Sequence, residues 1–242
     1  SRMCSRILCS PSIGTFASGP VTLVEGWNWR QGRPALARAE MLKPDSQAMD
    51  DAAVMIALGR PGIHPEGRFY PDTYTYAKGS SDLAVLRRAL QAMDRKLGAA
   101  WAQRAPDTPL KTPDEALILA SIVEKETGKP ADRALIAAVF TNRLRLGMML
   151  QTDPTVIYGL GAAFDGNLRK RDLRTDTPWN TYTRAGLPPT PIAMPGSAAL
   201  MAAVQPAQTR ALYFVARGDG SSQFSVTLDE HNRAVNRYQR GQ

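Results

Sequence analysis

The chain has 242 residues, of which 43% are apolar, and its 30 Lys and Arg outnumber its 22 Asp and Glu to give a formal charge of +8. That length and apolar content can bury one substantial core and a smaller satellite without help from disulfides or metals. The charge favours an anionic partner, whether nucleic acid, a membrane surface or a carboxylate-bearing polymer, and does not choose among them.

The densest basic run, Arg169, Lys170, Arg171 and Arg174, has no interleaved aromatics, and no helix-turn-helix, zinc-finger or RNP motif occurs, so nucleic acid is not an expected partner. Cys4 and Cys9 lie in an irregular N-terminal stretch. His64 and His231 stand apart from any thiol cluster, and neither a metal nor a cofactor is expected. No apolar run reaches membrane-spanning length and residues 1–20 lack the layout of a signal peptide, so the chain as written reads as soluble.

In chain order, residues 21–24 form a short β-type run ending at Glu25-Gly26. Residues 27–39 can be helical only with an interruption at Gly32 to Pro34. Residues 48–58 read as an apolar helix stopped by Gly59 and Pro61, 62–76 as a turn-rich stretch, and 81–97 as a further helix. Thr112-Pro113-Asp114-Glu115 is a capping box opening a helix to about Thr127, with Gly128 as its stop; a second helix over 132–146 closes at Gly147. Beyond it come a proline-rich loop at 187–196, a short helix at 197–204, a hairpin of 212–215 with 224–227, and a polar helix over 229–238. The expected fold class is α+β: an irregular stretch over 1–20, a small α+β region over 21–108, and a catalytic domain over 109–242 built on the helical pair and β-hairpins.

Leu117, Ala120, Ser121 and Glu124 recur at helical spacing, which places a carboxylate at the end of an apolar face. A carboxyl group held against apolar surface keeps its proton to higher pH and can serve as a general acid near neutrality. The plainer reading of Glu124 is a helix-end carboxylate paired with Lys125, Lys129 or an arginine. Glu126 lies about 200° around the helix from Glu124, so the two cannot face one bond. A second carboxylate would have to come from Glu66, Asp72 or Asp153. Asp153 before Pro154 fits a helix cap, while Gln151 and Thr152 beside it can hydrogen-bond sugar hydroxyls. Trp179-Asn180-Thr181-Tyr182 reads equally as a sugar-stacking loop and as an aromatic plug over the core.

These segments together resemble the YceG-like family of endolytic murein transglycosylases. The resemblance rests on Glu66-Gly67, Tyr70-Pro71-Asp72-Thr73-Tyr74, the block from Ala120 to Thr127 (ASIVEKET), the block from Phe140 to Gly147 (FTNRLRLG) and that from Leu150 to Gly159 (LQTDPTVIYG). It continues through Asn180-Thr181-Tyr182, Gly186 to Pro189, and Leu212-Tyr213-Phe214-Val215, spanning roughly Val21 to Tyr238.

The resemblance implies that Glu124 is the catalytic acid and base. It also implies non-hydrolytic cleavage between N-acetylmuramic acid and N-acetylglucosamine within nascent peptidoglycan glycan strands, leaving 1,6-anhydro ends. Gln151, Thr152, Asp153, Asn180, Thr181, Tyr182 and Glu66 are the expected substrate-binding residues. Also implied are a LysM-like N-terminal subdomain, truncated here, and action alongside peptidoglycan synthases such as penicillin-binding proteins. The location would be the outer face of the cytoplasmic membrane, held by an N-terminal anchor missing from this sequence. An inactive peptidoglycan-binding module and a lysozyme-like hydrolase are the alternatives.

Overall fold

The computed structural model describes residues 17–241. Strand β1 (Ser18–Thr22) pairs antiparallel with β2 (Thr73–Ala77), Ser18 opposite Ala77 and Thr22 opposite Thr73. Helices α1 (Trp29–Arg38) and α2 (Asp51–Ala57) lie between the two strands in sequence, and α3 (Asp82–Ala102) follows them. Alternate residues of both strands are buried, among them Val21, Tyr74 and Tyr76, as one-sided packing requires.

Three expectations change here. Residues 18–20, expected to be irregular, belong to β1; residues 1–16, with Cys4 and Cys9, lie outside the described residues. Residues 73–77, expected within a turn-rich stretch, form β2, whose alternating Thr and Tyr suit a half-buried strand. Helix α1 runs unbroken through Gly32 and Pro34. It is held at its start by reciprocal capping between Asn28 and Gln31, and Pro34 sits on its exposed side. Gly32 faces inward, where a Cβ would come within 2.8 Å of Met194 Cε, so close packing accounts for this glycine.

The larger part of the chain contains α4 (Pro113–Glu126), α5 (Arg133–Arg145), α6 (Asp153–Leu160), α7 (Lys170–Arg174) and α8 (Ser197–Val204). A hairpin of β3 (Tyr213–Ala216) and β4 (Ser222–Ser225) and the closing helix α9 (Leu228–Gln239) complete it. The Thr112 hydroxyl caps α4 by accepting from the Glu115 N–H. Glu115 in turn accepts from Lys111 rather than from Thr112, so the expected capping box is shifted by one residue. Gly147 ends α5 with a left-handed φ of 67°, as expected. Gly128 does not play that part: a Cβ there would lie 2.5 Å from the Gly220 carbonyl oxygen, so its role is to let the β3–β4 loop approach.

Every residue of α4 from Ala116 to Val123 is buried, a helix enclosed on all sides rather than one with a single apolar stripe. It packs against α3, α5, α6 and α8. Two cores result. The larger includes Leu117, Ile122, Ile136, Phe140, Leu200 and Val204; the smaller includes Leu23, Trp29, Leu36, Phe69 and Met194. Helix α3 belongs to both, giving Val85, Leu86 and Leu90 to the smaller and Met93, Leu97 and Ala100 to the larger. Among the described residues no helix is long and apolar enough to cross a membrane.

Phe69 is fully buried and stacks on Trp29 with ring centroids 4.9 Å apart. Phe69→Ala should therefore lower the unfolding free energy by about 3–5 kcal/mol, read from urea denaturation.

Candidate active site

Glu124 is the first residue of α4 to emerge after eight consecutive buried ones, so the enclosed helix delivers it rigidly to the edge of the core. Ser121, one turn earlier, fastens what lies above: its hydroxyl donates to the Ile118 carbonyl over 2.7 Å and accepts from the Ile192 N–H over 3.0 Å. The proline-rich loop is thereby tied to α4 and brings Gly196 over Glu124. The Gly196 N–H donates to Glu124 Oε2 over 2.9 Å.

A second segment converges on the same place. The turn at Glu25-Gly26, which follows β1, is clipped to the loop by Gly26 N–H to Met194 O (2.9 Å) and Met194 N–H to Trp27 O (2.7 Å). Gly26 has a φ of 80°, and Lys125 Nζ donates to its carbonyl over 3.2 Å. The Glu25 carboxylate lies against Gly196, where any side chain would collide with it. Glu124 is half-buried. Burial, more than any other influence, raises its pKa; the Glu25 charge adds to the rise, while the Gly196 hydrogen bond, Arg133 and Lys125 oppose it. Glu66, Asp72 and Asp153, the partners considered from sequence, are not among the leading influences on Glu124.

Glu126 points to the opposite side of α4, as the helical geometry requires, and accepts from the Thr152 hydroxyl. Burial raises its pKa, opposed by that hydrogen bond. Thr152, not Asp153, is the N-cap residue of α6. Its hydroxyl is spent on Glu126, and Asp153 at the first helical position accepts from the Tyr182 hydroxyl over 2.6 Å. Gln151 adopts a left-handed φ of 50°, rare for a residue with a side chain, and is held there by its N–H to the Thr181 carbonyl at 3.1 Å. Gln151, Asp153, Tyr182 and Glu126 line a groove of about 590 Å³ closed by Arg143 and Tyr213.

A second groove, of about 760 Å³, lies between α1 and α6 and reaches Gly26 and Lys125, the neighbours of Glu124. Its walls carry Arg30, Tyr158, Phe164 and Trp179. Trp179 is half-buried, edge-on to Tyr158 at 5.5 Å, and donates from Nε1 to the Thr190 hydroxyl over 2.9 Å. It is both a groove wall and a partial plug.

Asn180 and Thr181, expected to hold sugar rings, are turned inward. Asn180 is wholly buried, donating to the carbonyls of Leu173 and Thr175, while its side-chain oxygen accepts from the Tyr182 N–H. Thr181 shares hydrogen bonds with Thr152 and Thr155. Both shape the loop that presents Tyr182. Thr152 and Glu66, also expected at the substrate, are 2% exposed. Glu66 accepts from the Trp29 and Gly67 N–H groups and from the Tyr158 hydroxyl, cross-linking α1 to α6. Glu25, Gly196 and Arg133 were not singled out from sequence. They lie about 100, 72 and 9 residues from Glu124 along the chain, and no spacing rule connects them.

The fold and site define an α+β protein that presents a half-buried glutamate, its pKa raised by burial, where segments of the two cores meet. A model of the YceG-like family matches residues 5–237, and the chain belongs to that family. The match begins well upstream of residue 21, where the resemblance became legible. The endolytic murein transglycosylase of Bacillus subtilis is 39% identical over 176 residues, covering 72% of this chain and 48% of that protein. That of Streptococcus pneumoniae serotype 2 is 32% identical over 175 residues, covering 70% of this chain and 31% of that protein. The chain thus spans about half the length of the first and about a third of the second. A crystal structure of a yceG-like protein from Listeria monocytogenes matches with a TM-score of 0.73 at 33% identity, covering 90% of this chain and 75% of that one.

Burial pushes the Glu66 carboxyl from its ordinary 4.5 up to about 7, against the pull of its three donors. The folded state then holds this proton more tightly than the unfolded chain, so the associated stability is complete below about pH 4.5 and is lost as pH rises to about 7. Relative to Glu66→Gln, the wild-type protein should lose up to about 3 kcal/mol of unfolding free energy across that window, measured by denaturation at a series of pH values.

Proposed function

We propose that the chain carries the catalytic part of an endolytic murein transglycosylase, with Glu124 as acid and then base. The observation that carries this reading is the half-buried Glu124 with one oxygen engaged by the Gly196 amide. An N–H directed at Oε2 favours the proton on Oε1, the oxygen left to face a glycosidic bond. Glu124 would protonate the departing glycosidic oxygen between N-acetylmuramic acid and N-acetylglucosamine. The resulting carboxylate would accept the proton of the muramoyl C6 hydroxyl as that oxygen attacks C1, closing the 1,6-anhydro ring. An intramolecular nucleophile needs no activated water and starts already positioned.

The aromatic groove along Tyr158 and Trp179 suits the apolar faces of sugar rings, and Gln151, Asp153 and Tyr182 offer polar contacts on the other side of α4. The excess positive charge suits a strand bearing peptide carboxylates beside an anionic membrane. A LysM-like N-terminal unit is supported by the order β1-α1-α2-β2 with its two strands paired. Attachment to the cytoplasmic membrane, an extracytoplasmic location, and cooperation with penicillin-binding protein synthases to limit strand length complete the proposal. They rest on what the family resemblance implies.

Digestion of purified murein followed by mass spectrometry of the product ends tests the reading. Wild type should yield anhydro-muropeptides, and Glu124→Gln should lower the rate by about 10²- to 10⁴-fold with unchanged thermal stability. Reducing ends would assign the protein to the hydrolases, and murein binding without products would make it an accessory module.

A further inference from the structure

Glu25 stands outside every role assigned above. It is exposed, it follows β1 rather than belonging to the large core, and its carboxylate is packed onto Gly196, the residue whose amide holds Glu124. Nothing in its own surroundings requires an acid there: none of the ion pairs formed among the described residues involves Glu25. The turn that carries it is nevertheless fixed with care, through the paired backbone hydrogen bonds to Met194 and the Lys125 bond to Gly26. The backbone of the turn is thereby fixed beside the proline-rich loop, with the Glu25 carboxylate against Gly196.

We propose that Glu25 is the second carboxylate of the site, a positioning residue that converges with Glu124 on Gly196 and acts on the reaction through the Glu124 proton. This rests on the assignment of Glu124 as proton donor. Two carboxylates held close together do not both ionise readily, and the one in the drier setting keeps its proton longer. The Glu25 charge makes the loss of a proton from half-buried Glu124 more costly. The charged groups facing Glu124 from the packed elements are Lys125 on α4, Arg133 on α5 and Glu25 on the turn after β1. The first two favour the carboxylate and Glu25 favours the acid. Glu25 thereby opposes the two cations, and it does so from the N-terminal unit. The N-terminal unit thus adds, through Glu25, to the burial that favours the acid form of Glu124.

The test is carbon-13 NMR titration of the glutamate carboxyls in the full 242-residue chain, with the Glu124 signal identified by its loss in Glu124→Gln. Glu25→Gln, which keeps the shape and removes the charge, should lower the Glu124 midpoint by about half a pH unit or more, and Glu25→Lys should lower it further. The alkaline limb of murein cleavage should move to lower pH by the same amount, while the melting temperature stays near that of wild type. A Glu124 midpoint that is unmoved in both variants would overturn the proposal. Failure of wild type to release anhydro ends would overturn the reaction assigned above and leave the titration result standing on its own.

Discussion

The hydrogen bond from the Gly196 amide to Glu124 is the contact on which the rest of the site depends. It joins the end of the enclosed helix α4 to the start of α8 and leaves one carboxyl oxygen free. The glycine itself admits the Glu25 carboxylate on its other side. For it to form, the proline-rich loop must sit at one height above α4, which the Ser121 hydroxyl sets by bonding the Ile192 N–H. It also needs the Glu25-Gly26 turn locked beside Met194. A buried helix, a serine and a turn from the far end of the sequence therefore combine to place one carboxyl group.

Much of this was legible in the sequence where the signal is local. Thr112 and Pro113 marked the start of α4, Gly147 the end of α5, and the spacing of Leu117, Ala120, Ser121 and Glu124 singled out a carboxylate at the end of α4. The same spacing understated the helix, because eight successive residues from Ala116 are apolar or small and fit burial on every side as well as on one. What stayed hidden was set by tertiary contact. Pro34 announces a helix break in any local reading, yet firm capping by Asn28 and Gln31 and an exposed ring let α1 continue. Asn180 and Thr181 look like ligand-binding side chains because their chemistry suits sugars. The loop around them needs the same donors and acceptors for its own carbonyls and hydroxyls.

The two glutamates of α4 show how one helix serves both sides. Glu124 meets the Gly196 amide beside Gly26 and Lys125, which line the larger groove; Glu126, two residues on, meets the Thr152 hydroxyl among buried neighbours. Thr152 gives up its cap to do this, and the chain just before it bends through the left-handed conformation of Gln151. Backbone strain of about 1–3 kcal/mol is usual for such a residue, and it is held here by the Thr181 carbonyl. The side of α4 away from Glu124 is thus shaped as deliberately as the side that carries it.

Helix α3 extends roughly 30 Å at 1.5 Å per residue and plants side chains in both cores. Neither core can come apart without stripping partners from the other, so the molecule has no cheap partial opening along this axis. The seam where Glu25 and Glu124 both meet Gly196 behaves as a fixed joint rather than a hinge. A ligand of the grooves must enter along them instead of prising the two halves apart.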